Sequence, residues 1–189
     1  MTNPLLAPWT APFGLPPFDA IRDEDFAPAL DQGLAEARAA IAAIAEDPAA
    51  PTFANTIEAL EMCEETLSRL AAVFYSVASA DSTAAREALQ RDLAPKLAAY
   101  SSEITNNRPL FQRIDTLWQD RDRLALTAEQ ERVLMLYRRR FVRAGAELEG
   151  DRAARMTEVQ ARLAVLGTQF TQNLLADERA WFMELAPED

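Results

Sequence analysis

The chain has 189 residues, 49% hydrophobic and 26% charged, a globular composition long enough to bury about 70% of the surface its unfolded form exposes. Its formal charge of −11 argues against nucleic acid as a partner, because phosphate binding depends on Lys and Arg displacing counterions. A count of zero histidines removes H-E-x-x-H zinc sites, Ser-His-Asp and Cys-His pairs, Glu-x-x-His di-iron motifs and any imidazole base.

Five prolines, Pro4, Pro8, Pro12, Pro16 and Pro17, are interleaved with Leu5, Trp9, Phe13, Phe18 and other apolar residues near the start. Proline fixes φ and denies the backbone a donor, so residues 1–22 are expected to form an extended strap packed on a helical surface. That start lacks a basic n-region and is broken by proline, so it does not read as a signal peptide. A first helix is expected from Asp23 or Asp25 through Phe26, Leu30, Leu34, Ala37, Ile41 and Ile44, ending before Asp47-Pro48, with Pro28 tolerated in its first turn.

The second helix carries the clearest pattern. Leu60, Cys63, Leu67, Leu70, Phe74 and Val77 recur at steps of three and four, with Asn55 as the expected cap and Glu58 three residues on. A continuous helix from Asn55 to Ala80 would be about 39 Å long. Cys63 lies on the apolar face and reads as a buried structural thiol; as the lone cysteine it makes no internal disulfide, which fits a reducing, cytoplasmic setting.

Ser82 or Thr83 opens a third helix with Leu89, Leu93, Leu97, Tyr100 and Ile104, in which Pro95 predicts a kink or break. Asn106-Asn107 stops it, and Pro109 opens a shorter helix with Leu110, Phe111, Ile114, Leu117 and Trp118. Thr127 with Gln130 is a capping box for a fifth helix through Val133, Leu134, Leu136, Tyr137 and Phe141 to Gly145. After Gly150-Asp151, a sixth helix carries Met156, Val159, Leu163, Leu166, Phe170 and Leu174. From Asp177, the alternation of Trp181, Met183 and Leu185 has the period of a strand. The expected fold is thus an all-α antiparallel bundle of about six helices over residues 23–176, with a strand-like tail at 177–189 that leads toward a part of the protein not present here.

No run of apolar residues approaches the roughly 18 that a membrane span needs, and no glycine pattern cradles a nucleotide. Glu58, Glu61, Glu64 and Glu65, then Asp23-Glu24-Asp25, then Asp120 and Asp122, form acidic groups without a calcium-loop spacing; a solvated face or a helix-dipole role accounts for them. Arg138, Arg139, Arg140 and Arg143 form a basic patch able to dock an acidic surface or a peptide carboxylate, or to pair with the protein's own surplus of acid. The residues themselves point to no catalytic, cofactor-binding or metal position, and assign no substrate-binding residue.

Several stretches carry a resemblance. NPLL at Asn3 to Leu6, LPPFDAI at Leu15 to Ile21, FAPALDQGLAEARAAIAAIAED from Phe26, PTFANTIEALE from Pro51, RLAAVFYSVASAD from Arg69, RRFVRAGAELEGDRAARM from Arg139 and LGTQFTQNLLADERAW from Leu166 together resemble the amino-terminal region of the thimet oligopeptidase family of zinc metallopeptidases. The RFVRAGAEL wording is more similar to the bacterial peptidyl-dipeptidase branch than to oligopeptidase A. The resemblance implies one wall of a channel that admits short peptides, with the chain's own C-terminal catalytic domain as its partner. It also implies that zinc and its H-E-x-x-H ligands belong to that domain, since none of those positions exists in this sequence. The alternative expectation is a free-standing helical interaction module without chemistry. Neither reading calls for nucleic acid or a membrane.

Overall fold

The computed structural model describes residues 3–181, which are helical with turns between; no strand occurs among the described residues. Contacts divide the chain into one unit running up to Ala146 and another from Glu147 onward. Helix α1, Asp23–Ala45, buries Phe26, Leu30, Leu34, Ala37, Ile41 and Ile44, the six residues that the spacing placed on one face. Asp25 closes its first turn by accepting a hydrogen bond from the Arg22 backbone N–H at 2.8 Å. Asn3 holds the beginning of the described chain against this helix, its amide donating to the Asp25 carbonyl at 2.8 Å.

The second helical stretch departs from the continuous rod expected. Thr52, not Asn55, is the cap: Thr52 Oγ1 accepts from the Asn55 N–H at 3.0 Å, and Asn55 Oδ1 accepts from the Thr52 N–H at 2.7 Å. Helical backbone therefore begins earlier, as a π-helical turn over Phe53–Glu58 that leads into the short α2, Ala59–Met62. The rod breaks at Cys63 and Glu64, where the Glu64 backbone (φ −106°, ψ 9°) leaves helical values, and α3 restarts over Glu65–Ala80. The apolar face survives both faults. Leu60, Leu67, Leu70 and Phe74 are buried, while Cys63 and Val77 pack at its margin.

Of the kink or break expected at Pro95, the break does not occur: helix α4 runs through it over Ala84–Thr105. Pro95 is exposed, so the carbonyl that loses its amide partner faces solvent, and buried Leu93 and Tyr100 hold the flanking turns to the core. Thr83 caps it through the Arg86 N–H. Helix α5, Arg108–Asp120, is capped by Asn107, and α6, Ala128–Ala144, starts with the Thr127/Gln130 capping box. Gly145 ends α6 at φ 102°, a left-handed conformation that glycine reaches without steric cost. In this first unit α1 packs on α3, α4 and α5, and α5 packs on α6.

Residues 3–22 turn repeatedly instead of running extended, with a 3₁₀ turn at Pro12–Gly14. Leu5 is fully buried, and Leu6, Trp9 and Ile21 lie against the core, whereas Phe13, Leu15 and Phe18 face solvent. Turns form here because Pro12, Pro16 and Pro17 fix φ at values that β-turns and 3₁₀ turns share with extended chain.

The second unit is built on α7, Gly150–Ala180. Asp177 to Ala180, expected in a strand-like tail, are instead its last turn, because intrahelical hydrogen bonds satisfy backbone groups that a lone strand would leave unpaired. The remainder of the expected alternation, from Phe182 on, lies outside the described residues. Val159, Leu163, Leu166, Phe170 and Leu174, in register on one side of α7, are all exposed.

One buried polar anchor ties the loop after α1 to α5. Arg113 Nη1 donates to the carbonyls of Asp47 at 2.8 Å and Ala49 at 3.0 Å, and Nη2 donates to Asn55 Oδ1 at 3.1 Å and Asp47 Oδ2 at 3.3 Å. Leu70→Ala and Phe74→Ala should each lower stability by about 2 to 5 kcal/mol, since both side chains are fully buried; an unchanged urea midpoint would remove them from the core. Arg113→Ala should cost about 3 kcal/mol by leaving Asp47 and three further acceptors without their donor. A loss below about 0.5 kcal/mol would show that water replaces the guanidinium.

Candidate functional site

The break between α2 and α3 brings several titratable side chains together. Glu61 and Glu64 flank Cys63 there, Tyr137 arrives from α6 and Tyr100 from α4. Tyr137 Oη donates to Glu61 Oε1 at 2.6 Å. The Tyr100 hydroxyl is buried close to the Glu64 carboxylate, which it faces without closing a hydrogen bond. Cys63 is half-buried, and its thiol donates to the Leu60 carbonyl at 3.0 Å.

The environment holds all three acids in their neutral forms. Burial, then the neighbouring Glu64 charge, pushes the Cys63 thiol up to about 11. Burial also drives Tyr100 well above the ordinary tyrosine value, reinforced by Glu64 and opposed by Arg38; for Tyr137 burial acts first and the Glu61 hydrogen bond second. A thiol so held is a poor nucleophile, and a tyrosine so held is a poor proton donor near neutrality. The cluster can join α2, α4 and α6, but it is not poised for catalysis.

A second feature is the groove between α1 and α4, about 220 Å³ in volume where Arg38, Ile41, Tyr100 and Glu103 line it. Arg38 Nε donates to Glu103 at 2.7 Å, and its guanidinium stands 5.8 Å from the centre of the Tyr100 ring. Nearby, Lys96 bridges Asp31 and Asp92, each at 3.0 Å. Every charge in this groove is answered by an opposite one, which leaves no free group to grip a charged ligand.

The acidic groups singled out in the sequence are scattered. Asp23 binds Arg86 at 2.8 Å, Asp25 serves the α1 cap, Asp120 and Asp122 lie 3.6 and 3.8 Å from Arg123 and Arg121, and Glu61 accepts from Tyr137. The basic patch divides: Arg138 meets Asp115 at 2.7 Å and Arg140 reaches Ser101 at 3.3 Å, while Arg139 and Arg143 remain exposed. Sequence reading missed Arg113, one arginine among 18. It also took Tyr100 and Tyr137 as apolar core positions only. Their signal is a hydroxyl on a core face, which needs a partner once buried.

Zinc, implied by the resemblance for a longer protein, does not fit the residues present. The chain has no histidine, and among the described residues no three His, Cys, Asp or Glu side chains gather closely enough to hold a metal ion. No helix among the described residues is long and apolar enough to cross a membrane.

The described residues form an all-helical region whose partly buried charges are largely paired within it. Comparison with known proteins gives its kinship. The chain is 40% identical over 179 residues to dipeptidyl carboxypeptidase of Salmonella typhimurium, 95% of this chain and 26% of that protein. It is 38% identical over 178 residues to the Escherichia coli dipeptidyl carboxypeptidase, and 31% identical over 183 residues to oligopeptidase A of Salmonella typhimurium, in each case again 26% of the relative's length. No protein-family model matches the chain. The chain is therefore homologous, over nearly its whole length, to about a quarter of the length of dipeptidyl carboxypeptidase and oligopeptidase A.

Alkaline titration tests the polar cluster. Unfolded tyrosine ionises near pH 10. Native Tyr100 and Tyr137 stay protonated beyond it, so their contribution to stability is complete below that value and is lost as pH rises past about 10, on top of an earlier loss from the Cys63 thiol. The urea midpoint should drop between about pH 9.5 and 11, and the Tyr100→Phe/Tyr137→Phe variant should show a shallower drop. Equal slopes in the two proteins would place the alkaline sensitivity elsewhere.

Proposed function

We propose that this region is the non-catalytic wall of a peptide channel in a zinc-dependent peptidyl-dipeptidase or oligopeptidase. In this reading, the catalytic residues, the zinc and the peptide-cleaving chemistry belong to a C-terminal catalytic domain of the longer protein. The wall acts sterically: a narrow channel admits short unstructured peptides and turns folded proteins away, which is specificity by exclusion. The protein works in the cytoplasm, in keeping with a single cysteine that burial holds as a thiol.

The observation that carries this reading is the extent of the match, 95% of the chain at 40% identity against 26% of a protein named dipeptidyl carboxypeptidase. Two structural facts support it. The described residues gather no metal-ligand cluster of their own, and α7 presents a row of exposed apolar side chains of the kind that monomers seldom leave uncovered.

The purified chain should hydrolyse no peptide with or without added zinc, and the gene should continue past the codon for Asp189 into sequence encoding H-E-x-x-H. Zinc-stimulated turnover by the chain that survives a contaminant control, or a stop codon directly after Asp189, would overturn the assignment in favour of a helical interaction module.

A further inference from the structure

The basic patch on α6 resolves into two sets once the helix is placed. At about 100° per residue, Arg132, Leu136, Arg139 and Arg143 fall within an arc of about 60°, directly opposite Leu134 and Phe141. Leu134 and Phe141 are buried, and the four residues of the arc are exposed. Arg138 and Arg140, outside the arc, are engaged with Asp115 and Ser101. No side-chain hydrogen bond or ion pair joins Arg132, Arg139 or Arg143 to any described residue, whereas Arg138 and Arg140 have theirs. Yet the chain carries 30 carboxylates against 19 basic groups, so partners of opposite sign are abundant elsewhere on it.

The imbalance is regional. From Arg108 to Arg143, nine arginines face five carboxylates, a net charge of +4, which leaves −15 on the rest of the chain. Of those five, Asp115, Asp120 and Asp122 are paired with Arg138, Arg123 and Arg121. Glu129 and Glu131 lie in the first turn of α6, where the helix dipole favours them. The C-terminal half of the arc thus has guanidiniums and an apolar seat, Leu136, but no acid of its own.

We infer that this outer face of α6 is a docking surface for an acidic, extended peptide segment. Arg132 to Arg143 spans about 16 Å along the helix, which an extended strand covers in about five residues. Arg139 and Arg143 stand about 6 Å apart along the axis, close to the repeat of alternate side chains on a strand. Two carboxylates in a Glu-x-Glu arrangement would each meet a guanidinium, and an apolar neighbour would lie on Leu136. Charge complementarity favours a short acidic peptide, whose charges can all lie over the positive α5–α6 segment, over a long polyphosphate, whose further charges would lie over the −15 of the rest of the chain. The inference stands apart from the peptidase assignment, because binding is read on this chain without turnover.

Fluorescence anisotropy of a labelled hexaglutamate peptide, titrated with the intact chain at about 20 mM salt, provides the test. Saturable binding should weaken about tenfold or more in Arg139→Glu/Arg143→Glu, whose α-helical circular dichroism should match the parent because both sites are exposed. Arg139→Gln/Arg143→Gln should give the same direction of change with a smaller charge perturbation. Arg22→Glu/Arg91→Glu, the same net charge change made at exposed positions of the first unit on other elements, should bind as the parent does. Equal weakening in that control, absence of binding by the parent, or tighter binding of a single-stranded DNA oligomer at the same face would overturn the inference.

Discussion

The guanidinium of Arg113 is the constraint on which the first unit turns. Its side chain is 7% exposed and reaches two backbone carbonyls and two side-chain oxygens of the segment between α1 and α2. Those acceptors include Asn55 Oδ1, which also receives the Thr52 N–H and the Thr56 hydroxyl. One arginine on α5 therefore sets where the second helical stretch begins. The geometry is directional, and a planar guanidinium can satisfy it where an ammonium cannot. Because the π-helical turn and α2 grow from that start, the position of Cys63 and Glu64 over α4 and α6 follows from it.

Consequences for chemistry come from how thoroughly charge is paired inside this unit. Arg86 joins Asp23 and Asp81, Arg38 joins Glu103, and Lys96 joins Asp31 and Asp92. Such pairs at partly exposed positions contribute little stability each, but they fix which helix faces meet. The cluster at the helix break follows the same logic with neutral acids: two tyrosines and a thiol kept protonated by burial beside two glutamates. The same paired helices are homologous to about a quarter of each of several peptidases.

Against that background the free arginines of α6 and the exposed apolar row of α7 stand out as surfaces with nothing in their own unit to answer them. The two differ in kind. The α7 row is apolar and long, and burial against any apolar surface would satisfy it. The α6 row is charged and spaced, so it discriminates by sign and by repeat distance.

Period and capping chemistry were legible directly. Phe26 to Ile44, Leu67 to Phe74 and Leu110 to Leu117 fall on buried faces because a helix repeats every 3.6 residues whatever it packs against. Thr127 caps where it was expected because an N-cap bond is closed within three residues, while Asn107, read only as a stop, also caps the helix that follows. The kinship was legible too, from the order of several worded stretches. Long-range contacts were not. Asn55 reads as a cap until Arg113, 58 residues away, takes hold of its side-chain oxygen. The break at Cys63 and Glu64 has no proline or glycine to announce it, and it stands where Tyr100 and Tyr137 approach from other helices. Pro95 announces a break that exposure of its turn makes unnecessary. The four arginines at 138, 139, 140 and 143 look equivalent in the chain and become two pairs only when α5 brings Asp115, and α4 brings Ser101, to one side of α6. Local periodicity is a property of the backbone and travels with the sequence, whereas the partner of a polar side chain depends on which distant segment the fold sets beside it.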